Sequence, residues 1–173
     1  GGLLADTVLL DAYAGQRFVR IRHTWGNDFG EAEFTSIRAL RLRLPLISER
    51  ATTERGWKFG EGPGESGAFP GAGPVHLRQH TDDRYAVVRD GAGIQADGRR
   101  AEGWAEWRDG ARRVTLAVRD FWQTYPKDLT VAPNGLELGI CPPLREDEYA
   151  AAKGTVDEHR LYYYLQGGLY RFR

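Results

Sequence analysis

The chain has 173 residues, enough for one domain with a real core and too few for two comfortable ones. Its 24 basic and 24 acidic residues cancel to a formal net charge of +0, which argues against a nucleic-acid-coating protein working by bulk charge. No apolar run reaches transmembrane length, and the lone Cys141 can build neither an internal disulfide nor a cysteine-rich zinc site.

Strand signals dominate in chain order. Thr7 to Tyr13 alternates, with Val8, Leu10 and Ala12 on one face. Arg17 to Trp25 alternates more sharply, Val19, Ile21, His23 and Trp25 facing one way and Arg20, Arg22 and Thr24 the other. Ala14-Gly15-Gln16 between them reads as a hairpin turn. Phe34 to Leu46 reads as one long strand. Its apolar parity switches between Ile37/Ala39 and Leu40/Leu42/Leu44/Leu46, which predicts a bulge near Arg38 to Leu40.

From Ser48 to Gly73 the pattern dissolves into a long Gly-rich loop, functional or disordered by its length. Trp57 and Phe69 within it either lie over a ligand or pin the loop down. Strands resume at Val75 to His80, Arg84 to Val88, Gly103 to Trp107 and Arg113 to Trp122, the last two joined by a tight turn at Asp109-Gly110. Leu129 to Val131 and Leu136 to Ile140 flank the turn Pro133-Asn134-Gly135, and Pro142-Pro143 halts the run. Arg145 to Lys153 is the one helix-friendly segment, and His159 to Leu165 with Leu169 to Phe172 reads as a closing hairpin. About ten strands with closely spaced turns predict an all-β, antiparallel β-sandwich spanning residues 1–173 as a single domain.

Val118-Arg119-Asp120-Phe121-Trp122-Gln123-Thr124-Tyr125-Pro126-Lys127 is the stretch richest in chemistry. Planar rings beside hydrogen-bonding groups suit a sugar: the ring covers the C–H face while Arg, Asp, Gln or Lys bonds the hydroxyls or a carboxylate. The same residues also suit a plug at the end of a sheet, with Phe121 and Trp122 in the core and Arg119–Asp120 as a local ion pair. His23 sits at a strand end, either presenting chemistry or hydrogen-bonded in the interior beside Trp25. His76 and His80 share a strand face but stand roughly 13 Å apart by strand rise, too far to share one metal without a bend; neither a metal nor a cofactor is expected. Cys141, among apolar neighbours, reads as a buried inert thiol. Trp104 and Trp107 face opposite ways, one into the core and the other toward solvent or a partner domain. Tyr162 and Tyr164 share the face opposite Leu161, Tyr163 and Leu165, suited to a ligand, a neighbouring domain or inter-sheet packing.

Six stretches in this order resemble a known family: Arg20-Ile21-Arg22-His23-Thr24; Leu42-Arg43-Leu44-Pro45; Gly103-Trp104; Val118 to Lys127; Gly139-Ile140-Cys141-Pro142-Pro143; and Leu161-Tyr162-Tyr163-Tyr164-Leu165. Over nearly its whole length the chain is similar to the central β-sandwich domain of the exo-rhamnogalacturonan lyase-like family of polysaccharide lyases. The resemblance implies a sandwich like that of galactose mutarotases and lyases. It also implies a multidomain parent with a small β-barrel before the sandwich and an α/α toroid after it. The absence of Met, position 1 included, agrees with an excised or processed piece, and any export signal would lie elsewhere.

By the same resemblance the parent is exported and eliminates at a uronic acid of an acidic polysaccharide or oligosaccharide. The domain would supply scaffold and part of the cleft and be inactive alone. Arg119, Trp122, Gln123, Tyr125, Lys127 and His23 are the substrate-binding candidates, and no catalytic base or acid is assigned. The alternatives are a non-catalytic carbohydrate-binding module and a structural spacer between domains, with no nucleic-acid or membrane partner in any of them.

Overall fold

Residues alternating between apolar and polar place themselves on opposite faces of a strand, and two sheets that pool their apolar faces bury both. The computed structural model of the chain describes residues 5–26, 35–37, 39–47, 55–69, 73–90, 92–142 and 170–172. Among them are fourteen strands: β1 (Ala5–Ala12), β2 (Val19–Gly26), β3 (Thr35–Ile37), β4 (Leu40–Pro45), β5 (Arg55–Lys58), β6 (Ser66–Ala68), β7 (Val75–Thr81), β8 (Arg84–Arg89), β9 (Gly93–Gly98), β10 (Trp104–Asp109), β11 (Arg112–Ala117), β12 (Lys127–Ala132), β13 (Gly135–Cys141) and β14 (Tyr170–Phe172). They form a six-stranded sheet β4-β13-β12-β7-β8-β9, a four-stranded sheet β11-β10-β5-β6, and the ribbons β1-β2 and β14-β3. Pairings β1 through β14 are antiparallel throughout. The fold is therefore the expected all-β antiparallel sandwich.

The six-stranded sheet turns one face to the core. Leu42, Leu138, Leu129, Leu77, Val87 and Ala96 lie in register across it, and Leu44, Leu136, Val131 and Val75 form the next row. Opposite them the four-stranded sheet presents Val114, Trp107 and Trp57 in register, with Leu116 beside Ala105. These side chains make one cluster, and β10 packs directly over β12 and β13. The buried Trp107 indole is satisfied by donating to the Pro133 carbonyl at 3.3 Å, a bond that crosses the sandwich.

Four features differ from the sequence expectation. The long strand from Phe34 to Leu46 is two strands, β3 and β4, in separate sheets, and the bulge lies on the partner: Leu40 pairs Cys141 and Arg41 pairs Gly139, so Ile140 is the extra residue. The Gly-rich stretch holds the hairpin β5–β6, with Trp57 and Phe59 in the core. Glu65 organises its loop, accepting from the Gly62 amide at 2.7 Å and from the Tyr85 hydroxyl at 2.7 Å. Burial, with Glu65 adding to it, pushes the Tyr85 phenol up to about 12, so it stays a donor. The strand from Arg113 ends at Ala117, short of Trp122. The count exceeds ten because of this hairpin, the β3–β4 division and β9. The expected helix over 145–153 and the His159 to Leu165 half of the closing hairpin, with Tyr162 and Tyr164, lie outside the described residues; β14 falls in the other half.

Leu129 has no exposed surface, whereas Ile94 is 66% exposed. Leu129→Ala is expected to cost about 2–5 kcal/mol in urea unfolding. Ile94→Ala should stay within about 0.5 kcal/mol of the parent. Equal losses would contradict the placement of the core.

Candidate functional site

The turn joining β11 to β12 is fixed from below. Val118 donates its amide to the Gly103 carbonyl at 2.8 Å, which starts the turn. Asp120 takes the left-handed backbone conformation (φ 54°), and its carbonyl accepts from both the amide (3.0 Å) and the hydroxyl (2.7 Å) of Thr124. Phe121 is 2% exposed and packs against Gly103. A Cβ at Gly103 would lie 2.3 Å from that of Phe121, and its φ of 77° suits glycine. Phe121 is thus the plug, as one of the two readings of the sequence had it.

Trp122 is half-buried, and its ring carries the guanidinium of Arg100, 4.2 Å from the ring centroid. A guanidinium held over an indole loses rotational freedom while its remaining N–H groups stay available to a ligand. Arg100 is held at its other end as well. Gln79, 1% exposed, donates to the carbonyls of Thr81 (2.6 Å) and Arg99 (3.0 Å) and accepts from the Ala101 amide (2.9 Å). Those bonds fix the backbone on both sides of Arg100, whose Nε donates to the Asp82 carbonyl at 3.3 Å.

The candidates divide accordingly. Arg119, Trp122 and Gln123 share the turn; Arg119 is 94% exposed, and its 3.4 Å contact with the exposed Asp120 is too solvated to hold it. Tyr125 is half-buried, and its bond to Pro126 is cis. Lys127 points inward, donating to the carbonyls of Thr124 (2.6 Å) and Ile140 (3.0 Å), and burial lowers its pKa. It ties the turn to β13. His23 belongs elsewhere: it stands 3.5 Å from Asp6 and 5.5 Å, centroid to centroid, from Trp25, both on the β1–β2 ribbon. Arg100 and Gln79 went unseen in the sequence because no local pattern links them to Trp122.

A second polar assembly covers the outer face of the six-stranded sheet. Asp128 accepts from Arg78 Nε at 2.9 Å and from the Thr130 hydroxyl at 2.9 Å. That hydroxyl lies 2.9 Å from His76 Nδ1, whose Nε2 stands 3.6 Å from Asp90. Because the hydroxyl donates to Asp128, it accepts from His76. Burial alone would raise the Asp128 pKa; the bond and charge of His76, then Arg78 and Thr130, prevail and hold it below its ordinary value of 3.8. Glu137, next in the row, meets Arg41 and Arg43 at 3.2 Å each. The polar parity of His76, Arg78 and His80 on β7 was the only signal of this assembly in the sequence. No group able to hold a metal is found among the described residues.

Neither a protein-family model nor a curated protein matches the chain.

Two outcomes follow from the titrating groups. The depressed Asp128 carboxyl contributes stability that is complete above the ordinary carboxylate value and fades as pH falls through the lower folded value. Asp128→Asn should therefore destabilise the chain at neutral pH and flatten the decline expected below about pH 4 in urea unfolding. Cys141, 5% exposed, has its thiol pushed up to about 11 by burial, against a small opposing effect of Lys127. Native protein should resist iodoacetamide at neutral pH and react once unfolded; rapid native alkylation would contradict this.

Proposed function

We propose that this sandwich is the cleft-forming domain of a carbohydrate-active enzyme of the polysaccharide lyase type, acting by β-elimination at a uronic acid of an acidic glycan. The resemblance supplies the class. The observation that carries it to residues is the Arg100 guanidinium lying 4.2 Å over Trp122, in the turn that also carries the exposed Arg119. Uronate elimination builds charge on the carboxylate, and a guanidinium already held in place, as that of Arg100 is, stabilises that charge without reorganising. Trp122 then acts by orienting Arg100 instead of covering the sugar itself, and Gln123 is left to bond a hydroxyl. The base and the acid are assigned to no residue of this chain.

A second reading has its own observation. The β1–β2 ribbon exposes Val8 (50%), Leu10 (68%), Val19 (57%) and Ile21 (42%) on one face. Such a patch suits burial against a neighbouring domain of a longer chain, so the domain would also serve as a spacer.

Isothermal titration of the chain with tri-galacturonate tests the first reading. Saturable heat is expected, weakened about tenfold or more by Arg100→Ala and also by Arg100→Lys, which cannot lie flat on the indole. Unchanged binding in both variants, or silence with the parent sequence, would return the turn to a purely structural role.

A further inference from the structure

The polar assembly on the outer face of the six-stranded sheet ends at His76, whose two ring nitrogens have different duties. Nδ1 donates to the Thr130 hydroxyl at 2.9 Å, because that hydroxyl gives its own proton to Asp128. The hydroxyl does not turn round: its bond to a carboxylate is charge-assisted, and donating to the imidazole instead would take a donor from the buried Asp128. Nδ1 therefore carries a proton whether the ring is neutral or charged. Nε2 faces Asp90 Oδ2 at 3.6 Å. In the neutral ring it sets a lone pair against that carboxylate. In the cation it presents an N–H, and the contact becomes an ion pair.

The other groups around the ring do not share this dependence. On β12, Asp128 stands 3.6 Å from Nδ1 and is already held by Arg78 and Thr130. Arg78, two residues along β7, gives its Nε to Asp128. Glu137 on β13 is engaged by Arg41 and Arg43 of β4. On β8 the residue in register with His76 is the apolar Val88, and Arg89, paired with Val75, takes the opposite face. Asp90 follows β8 directly and opens the turn into β9, the strand that ends the sheet. The turn has little else to hold it. The Asp90 amide reaches the Pro74 carbonyl at a long 3.4 Å, and the Ala92 amide closes on the Arg89 carbonyl at 3.0 Å. From Gln95 onward β9 is backed by the loop that Glu65 organises, since a Cβ at Gly64 would lie 2.1 Å from the Gln95 carbonyl oxygen. Ahead of that point stand only Gly93 and the exposed Ile94.

We propose that His76 is a proton-operated latch: charged, it clamps Asp90 and holds the β8–β9 turn to the sheet; neutral, it releases Asp90 and lets the turn and the start of β9 loosen. Histidine is the side chain whose charge ordinarily changes near physiological pH, so the latch works in that range. Its sign follows from the proton. The clamp is present at low pH and lost as pH rises, opposite to the contribution of Asp128, which is lost as pH falls. The latch is independent of any ligand and shares no residue with the Arg100–Trp122 turn.

The test is nuclear magnetic resonance of the ¹⁵N-labelled chain from about pH 5 to about pH 8, following the His76 ring nitrogens and the amide hydrogen-exchange protection of Ala92, corrected for intrinsic exchange. As pH rises, Nε2 should lose its proton while Nδ1 keeps its own. With the same midpoint, Ala92 protection should fall about two- to fivefold, the effect of one partly exposed ion pair, while the amides of β12 hold constant. Asp90→Asn, at a side chain 48% exposed, should remove the fall, because an amide can accept from the charged ring and donate to the neutral one. A neutral ring protonated on Nε2 would overturn the proposal. So would Ala92 protection that stays level or rises, the same fall in Asp90→Asn, or an equal fall throughout β12.

Discussion

The structure depends on the register of β12. Leu129 and Val131 have no exposed surface and face Trp107 and its sheet; Asp128 and Thr130, between and beside them, face the other way into a charged assembly. A slip of one residue would drive a carboxylate into the apolar layer and carry two aliphatic side chains out of it. Neighbours on both sides enforce the alignment, since Leu129 is matched by Leu138 on β13 and by Leu77 on β7. Asp128 adds to this from the opposite face. It bonds Arg78, the residue directly opposite it on β7.

From that frame the turn before β12 inherits its rigidity. Lys127 is the first residue of the strand, and its amine reaches back to the Thr124 carbonyl and across to that of Ile140, inside the bulge of β13. Phe121 is driven into the core beneath Gly103. What remains outside is a short cationic and aromatic surface whose orientation is set by buried groups. Gln79 does the corresponding task for Arg100, giving both its N–H donors to backbone carbonyls and accepting from the Ala101 amide, so that Arg99 and Ala101 on either side are held.

The alternating segments were legible in the chain because period two is written locally. Val75 to His80 and Leu136 to Ile140 both became strands of the central sheet, and the Pro133-Asn134-Gly135 turn lies between β12 and β13 as read. The β5–β6 hairpin was hidden because its glycines mask strand propensity, while its stability comes from distant Tyr85 and from the burial of Trp57. The strand was carried too far, to Trp122, because Leu116, Val118 and the aromatics continue an acceptable pattern; the decision to turn belongs to the Gly103 carbonyl, which no window around Val118 contains. Of the candidate residues, Arg119, Trp122 and Gln123 were found by type. The inward course of Lys127 and the partnership of Trp122 with Arg100 depend on contacts between separate segments, and only the fold displays them.

Arg100 comes just before β10 and Trp122 just after β11, so the two stand at the open end of a single hairpin. Its strands are matched from Trp104↔Ala117 at that end to Asp109↔Arg112 at the closed one, about 17 Å along the strand. The hairpin therefore behaves like a clothes-peg gripped at its jaws. Gly110 and Ala111, at the far tip and facing solvent, are free to accept extra sequence without parting the jaws, which makes the tip the natural place for this lineage, or an engineer, to graft something new.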